Sequence, residues 1–303
     1  MAAAWPGTAP STAAPRTPVD SPAAANLWKS AVPYPGPMAG PRRAAFFDLD
    51  KTILATSSAL AFTRPFYRGG LLGRRDVVRS AYAQFVFLAS GADHDQMETM
   101  RRYMSDLVRG WDVAKVQEIV AETLDHIIDP AVYDEAIELI EQHRDAGDDI
   151  IVISSSGTEV VEPIGELIGA DLAVGTQLAV EQGRYTGEIL YYAYGEGKAQ
   201  AMRDLAEERG YDLAASYAYT DSITDLPMLE SVGHPTAVNP DADLRRVALE
   251  RGWPILDFRR PVAMRTRVPH VDRRHAAAVG AGVAIGAAAL GLAWYVQHRR
   301  ARP

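Results

Sequence analysis

The chain of 303 residues is long enough for one large or two modest domains, and a hydrophobic content of 48% supports a real core. It has no cysteine, which excludes disulfides, thiolate metal sites and a thiol nucleophile. The net charge of -8 argues against a general nucleic-acid binder, although arginines gather late, at Arg259, Arg260, Arg265, Arg267, Arg273 and Arg274.

Residues 1–41 consist largely of Ala, Pro, Ser and Thr without a periodic apolar pattern. They bury too little surface to offset ordering entropy and read as disordered. They also lack the basic start and apolar stretch of a secretory signal. The first strand is expected over Ala44 to Leu49, running straight into Asp48-Leu49-Asp50-Lys51-Thr52. Positions i and i+2 of a strand share a face. Asp48 and Asp50 therefore repel one another unless a cation lies between them or one is protonated. Chemistry gives the pair a use: one carboxylate attacks an electrophile, and the other handles the proton of the leaving group.

From about 55 to 128 no strand pattern occurs, but amphipathic stretches do, at Val77 to Leu88, Met97 to Val108 and Val113 to Ile127. This predicts a helical insertion after the first strand, lying as a cap over the strand ends. A helix over Tyr133 to His143 stops before Gly147. The second strand, Ile150 to Ile153, leads into Ser154-Ser155-Ser156-Gly157 ahead of a helix beginning near Glu159. Those serines serve either as a helix cap or as an anion cradle. Alternation over Thr176 to Tyr192 around Gln182-Gly183-Arg184 predicts a hairpin. Lys198 opens a helix running to Arg209, a position that alone says little. A strand over Tyr217 to Tyr219 passes into Asp221-Ser222-Ile223-Thr224-Asp225, with Asp225 one turn into a helix, and Thr236 to Val238 forms another strand. Strands alternating with helices imply an α/β fold with a Rossmann-like parallel sheet, whose ligands bind beyond the carboxyl ends of the strands.

Past a basic linker (259–275), residues 276–296 carry no charge and end in Trp294-Tyr295 between Arg273-Arg274 and Arg299-Arg300. At ~1.5 Å per residue a helix of that length spans a bilayer core. A single C-terminal transmembrane helix is expected, with a basic tail (297–303) and the catalytic part cytoplasmic at the cell membrane. Gly282 and Gly286 form a small-xxx-small pair through which two such helices could make a homodimer.

Four elements in this order, Phe47-Asp48-Leu49-Asp50-Lys51-Thr52, Ile153-Ser154, Lys198 and Asp221-Ser222-Ile223-Thr224-Asp225-Leu226-Pro227-Met228-Leu229, resemble the haloacid dehalogenase (HAD) superfamily of phosphohydrolases. The wording fits its phosphoserine-phosphatase-like subfamily IB over about residues 44 to 258. The resemblance implies that Asp48 attacks phosphorus and that Asp50 protonates the leaving oxygen and then activates water. It implies Mg²⁺ held by Asp48, the Asp50 carbonyl oxygen and Asp221, with Ser154, Ser155 and Lys198 on the phosphoryl oxygens and Asp225 orienting Lys198 or a metal-bound water. Asp50-Lys51-Thr52 also resembles the phosphorylation sequence of P-type ion pumps, but Ile53 stands where those have Gly, and one span cannot make a pump. Phosphoserine phosphatases carry a substrate-reading glutamate nine positions after the nucleophile; Ser57 is here. The expected function is Mg²⁺-dependent hydrolysis of a phosphomonoester, either a phospholipid head group or a small metabolite. A membrane-anchored regulator, for example of morphological differentiation, that retains the phosphatase fold is the reading from another class.

Overall fold

The computed structural model describes residues 42–73 and 94–261. The expected disordered N-terminus, the Val77 to Leu88 helix, most of the basic linker, the 276–296 span and Gly282/Gly286 lie outside the described residues. Among those residues no helix is long and apolar enough to cross a membrane.

Strand β1 (Ala44–Phe47) is buried at every position and forms the centre of the sheet. It pairs in parallel with β2 (Asp149–Gly157), Ala44 opposite Asp149, and on its other side with β5 (Tyr217–Thr220), Phe47 opposite Tyr219. The complete order is β4-β3-β2-β1-β5-β6-β7, where β3 is Leu172–Glu181, β4 Arg184–Tyr191, β6 His234–Val238 and β7 Ile255–Leu256. Among the described strand pairs only the β3–β4 hairpin is antiparallel. Central strands covered on both faces need continuous apolar runs. Ala-Ala-Phe-Phe and Ile150 to Ile153 supply them.

The two faces of β1 sort the core. Ala45 and Phe47 point to one side, where they meet helices α1 (Ser58–Arg68), α3 (Val113–Ile127), α4 (Asp134–Asp145) and α5 (Thr158–Ile168) through Phe62, Val120, Ile140 and Ile164. Ala44 and Phe46 point to the other, against Met202 and Leu205 of α6 (Glu196–Arg209), Leu229 of α7 (Leu226–Glu230) and Leu244 of α8 (Ala242–Arg251). The sheet is therefore covered on both faces. The chain steps from β1 outward to β2 and β3, then returns to place β5 against the free edge of β1. That reversal opens a crevice at the carboxyl ends of β1, β2 and β5.

Between β1 and β2 the described chain is helical: α1, α2 (His94–Val108), α3 and α4. Helix α2 is pinned to the hairpin by the Ser105 hydroxyl on the Gly187 carbonyl and by Arg109 Nη1 on the Thr186 carbonyl at 2.7 Å. The hairpin turns through Gln182 and Gly183, both with positive φ (51° and 75°), which suits a two-residue reverse turn. Two boundaries differ from the sequence reading. Ser154 to Gly157 extend β2 past Ile153, and β3 pairs with that extension only at its end, Gly157 opposite Thr176, after a shift of register. Arg259 and Arg260, read as linker, dock on α4 through backbone N–H groups donated to the Glu135 carboxylate.

Candidate active site

The end of β1 delivers Asp48 into the crevice, buried and anchored by its backbone N–H to the Tyr219 carbonyl at 2.9 Å. Its Oδ1 accepts from Lys198 Nζ at 2.5 Å, and its Oδ2 accepts from Thr52 Oγ1 at 3.4 Å. Lys51 adopts φ 60°, which turns the chain away from the strand and leaves its Nζ 3.6 Å from Asp221 Oδ2. Asp50 faces a different partner. Its Oδ1 accepts the Ser58 backbone N–H at 2.8 Å, and Ser57 Oγ lies 3.5 Å from Oδ2. The Asp50 carboxylate thus sits at the N-terminus of α1, where the helix dipole favours a negative charge.

Lys198 is fully enclosed in the first turn of α6 and bridges two carboxylates, Asp48 and Asp225, the latter at 2.7 Å. Asp225 Oδ2 also accepts from Thr220 Oγ1 at 2.7 Å, so the last residue of β5 holds the carboxylate that holds the lysine. Burial works to lower the Lys198 pKa, but the Asp225 and Asp48 carboxylates outweigh it and hold the ammonium protonated. The approach of α6 depends on Gly197, where a β-carbon would fall 2.1 Å from the Tyr192 carbonyl oxygen. Ser154 is buried and accepts the Ser156 backbone N–H at 3.2 Å, while Ser156 Oγ meets Ser58 Oγ at 2.7 Å. The Ser155 carbonyl is taken by Thr176 Oγ1 at 2.8 Å.

The structure therefore brings Asp48, Lys198 and Asp225 into direct contact, with Asp221 and Asp50 close enough to act on Asp48 electrostatically. Burial, followed by the Asp225, Asp221 and Asp50 carboxylates, pushes the Asp48 carboxyl up to about 8, Lys198 pulling the other way. Burial likewise raises Asp50, against its hydrogen bonds from Ser58, and lifts Asp221 to about 6. With all four carboxyls ionised (Asp48, Asp50, Asp221, Asp225) the two ammonium groups beside them (Lys198, Lys51) would leave two negative charges, a surplus that a divalent cation would offset. Among the described residues no three His, Cys, Asp or Glu side chains are grouped to hold a metal. The expected ligands are instead two carboxylates and a backbone carbonyl, the sparse oxygen set that suits Mg²⁺, which keeps several of its waters.

Sequence reasoning did not assign roles to Thr52, Ser58, Thr176 and Thr220, all of which hold functional side chains or their backbone. Ser58 alone left a signal, as a helix start eight residues after Asp50. A cavity of about 380 Å³ opens beside Asp50 and the β2 serines, walled by α1, α2, α3, α5 and the hairpin. Its wall residues come from segments far apart in sequence, so no local pattern announced it.

The haloacid dehalogenase-like hydrolase family profile matches residues 45–230. The "Inhibition of morphological differentiation protein" of Streptomyces azureus is 62% identical over 86% of this chain and 95% of its own length. From Mycobacterium tuberculosis, "Probable phosphatase Rv3661" is 55% identical over 86% of this chain and 90% of its own, and "Phosphoserine phosphatase SerB1" is 36% identical over 86% and 82%. A solved structure of a Bordetella pertussis Tohama I protein of unknown function superposes with a TM-score of 0.64 at 28% identity, covering 72% of this chain and 99% of that one.

Proposed function

Since the chain belongs to the haloacid dehalogenase-like hydrolases, in their phosphoserine-phosphatase-like branch, and is a phosphatase, we propose that it hydrolyses a phosphomonoester in two steps through Asp48. The observation that carries this reading is the buried Asp48–Lys198–Asp225 chain beside an Asp50 held elsewhere, by the start of α1. Two carboxylates in different surroundings take different roles.

In the first step an Asp48 oxygen forms a bond to phosphorus as the ester P–O bond breaks. The leaving alkoxide takes the proton of the Asp50 carboxyl, whose raised pKa suits a general acid. In the second, Asp50 as carboxylate accepts a proton from water whose oxygen attacks phosphorus, releasing inorganic phosphate and regenerating Asp48. Lys198, protonated throughout, orients Asp48 and offsets charge on the phosphoryl oxygens together with Ser154 and Ser155. Asp225 and Thr220 fix the position of Lys198. Mg²⁺, held by Asp48, the Asp50 carbonyl and Asp221, would supply Lewis-acid stabilisation of the transferring phosphoryl group.

Ser57, half of the Asp50 cradle, provides no carboxylate for an amino-acid substrate at that position, which argues against phosphoserine. The size of the cavity, about 380 Å³, favours a small phosphorylated metabolite. The 276–296 span supports a membrane anchor with the phosphatase part cytoplasmic, which flotation of the full chain with liposomes tests, and with it a phospholipid head group as second substrate reading. A regulatory role is supported by the name of the Streptomyces azureus relative. With Mg²⁺ in detergent, the wild-type chain is expected to release phosphate from p-nitrophenyl phosphate, and Asp48→Asn to release none above background. Equal release by the variant ends the assignment of Asp48.

A further inference from the structure

The cavity beside Asp50, about 380 Å³, is the size that encloses a small organic molecule. Much of its wall is aromatic, with Phe62, Phe66, Tyr103, Trp111 and Tyr185 among the lining residues. Two charged side chains line it among the described residues, Asp50 and Glu159, and both are acidic; no Lys or Arg does. Asp50 is occupied by Ser58 and Ser57. Glu159, in the first turn of α5, enters no ion pair within the described residues. It lies close enough to Tyr185 to act on its phenol, and the Tyr185 hydroxyl is buried without a hydrogen bond of ordinary geometry.

This wall discriminates by charge. A leaving group bearing a carboxylate, as in phosphoserine, would bury an anion beside two acidic groups with no Lys or Arg among the described wall residues to meet it, which is costly. An ammonium meets the reverse: a carboxylate partner and aromatic faces that attract cations. We propose that the leaving group of the substrate is a small amino alcohol with an apolar or aromatic body and no carboxylate, its ammonium received by Glu159 and the Tyr185 hydroxyl. Glu159 is thereby a specificity-determining residue, on an element other than the one that carries Ser57. The proposal rests on the phosphatase reading above. The rival explanation of Glu159, a favourable charge at a helix start, predicts an effect on stability and none on substrate choice.

The test uses the full chain in detergent with Mg²⁺ and four probes: 2-amino-3-phenylpropyl phosphate, its deaminated counterpart 3-phenylpropyl phosphate, phosphoserine and p-nitrophenyl phosphate. The aminated ester should exceed the deaminated one by about tenfold in kcat/KM, with phosphoserine below both. Glu159→Gln should bring the first two within about twofold of each other, mainly through KM, and Tyr185→Phe should narrow the same ratio. A ratio unchanged in Glu159→Gln, or phosphoserine as the best probe, overturns the proposal alone. No hydrolysis of any probe by the wild-type chain overturns the phosphatase reading, and the proposal with it.

Discussion

At Lys198 a cation lies between two carboxylates with almost no access to water, and removing it is worse than never having built the arrangement. Lys198→Met leaves Asp48 and Asp225 enclosed without a counter-charge, a defect of about 3–5 kcal/mol by analogy with other broken buried pairs. Chemical denaturation should show that loss, and kcat should fall at least ~100-fold as charge stabilisation at the phosphoryl group disappears. Asp50 separates from Lys198 in function as it does in space. With p-nitrophenolate, a leaving group that needs no proton, Asp50→Asn should still permit attack by Asp48, yet the aspartyl-phosphate should turn over ~10²–10⁴-fold more slowly for want of a base. The expected signature is a burst of nitrophenolate followed by slow release, in stopped-flow absorbance. Loss of the burst together with turnover would place Asp50 in the first step for every substrate.

The elements that aim these side chains differ in how openly the sequence announces them. Strands β1, β2 and β5 are short apolar runs ending in polar residues, and Asp48, Ser154 and Asp221 follow from that grammar together with the joint motif. Strand β7 is a two-residue ladder whose existence depends on β6 already being in place, so no local preference could reveal it. The same holds for the end of β2, where Gly157 meets Thr176 of β3 only after the register shifts past Ser154 to Ser156. Thr220 and Thr176 look like ordinary sheet threonines until tertiary structure puts Asp225 and Ser155 against them. Gly197 was visible as a glycine beside Lys198, but its reason is a contact: Tyr192 passes where a side chain would begin. Gly197→Ala should therefore force the first turn of α6 outward and move Lys198 off Asp48. We expect a kcat deficit of ~100-fold, since displacements of about 1 Å have such effects, while far-UV circular dichroism stays near that of the wild type. An active Gly197→Ala variant would show that α6 adapts without Lys198 moving.

Over the whole molecule, a doubly covered sheet converges carboxylates from β1 and from the segment after β5 at one crevice, and the resulting repulsion is a stability cost located at the site of function. Its sign with pH follows from protons bound. Asp48 is raised from 3.8 to about 8 and Asp221 from 3.8 to about 6 in the metal-free fold, so the folded state holds more protons than the unfolded one in that window. Stability from these two groups is accordingly present below about pH 4 and is lost as pH rises toward 8. Mg²⁺ competes with those protons for the same oxygens, and binding to the folded state alone raises its stability by mass action. The increment in Tm on adding millimolar Mg²⁺ should therefore grow between pH 5 and pH 8. Asp221→Asn removes one ligand and one repelling charge together. The metal-free variant should melt a few degrees above the metal-free wild type, since each kcal/mol is worth about 2–4 °C in a domain of this size, and most of its Mg²⁺ increment should vanish. Thermal unfolding with and without Mg²⁺ at the two pH values measures all three quantities, and an equal increment in both proteins would remove Asp221 from the metal site while leaving Asp48 where the geometry puts it.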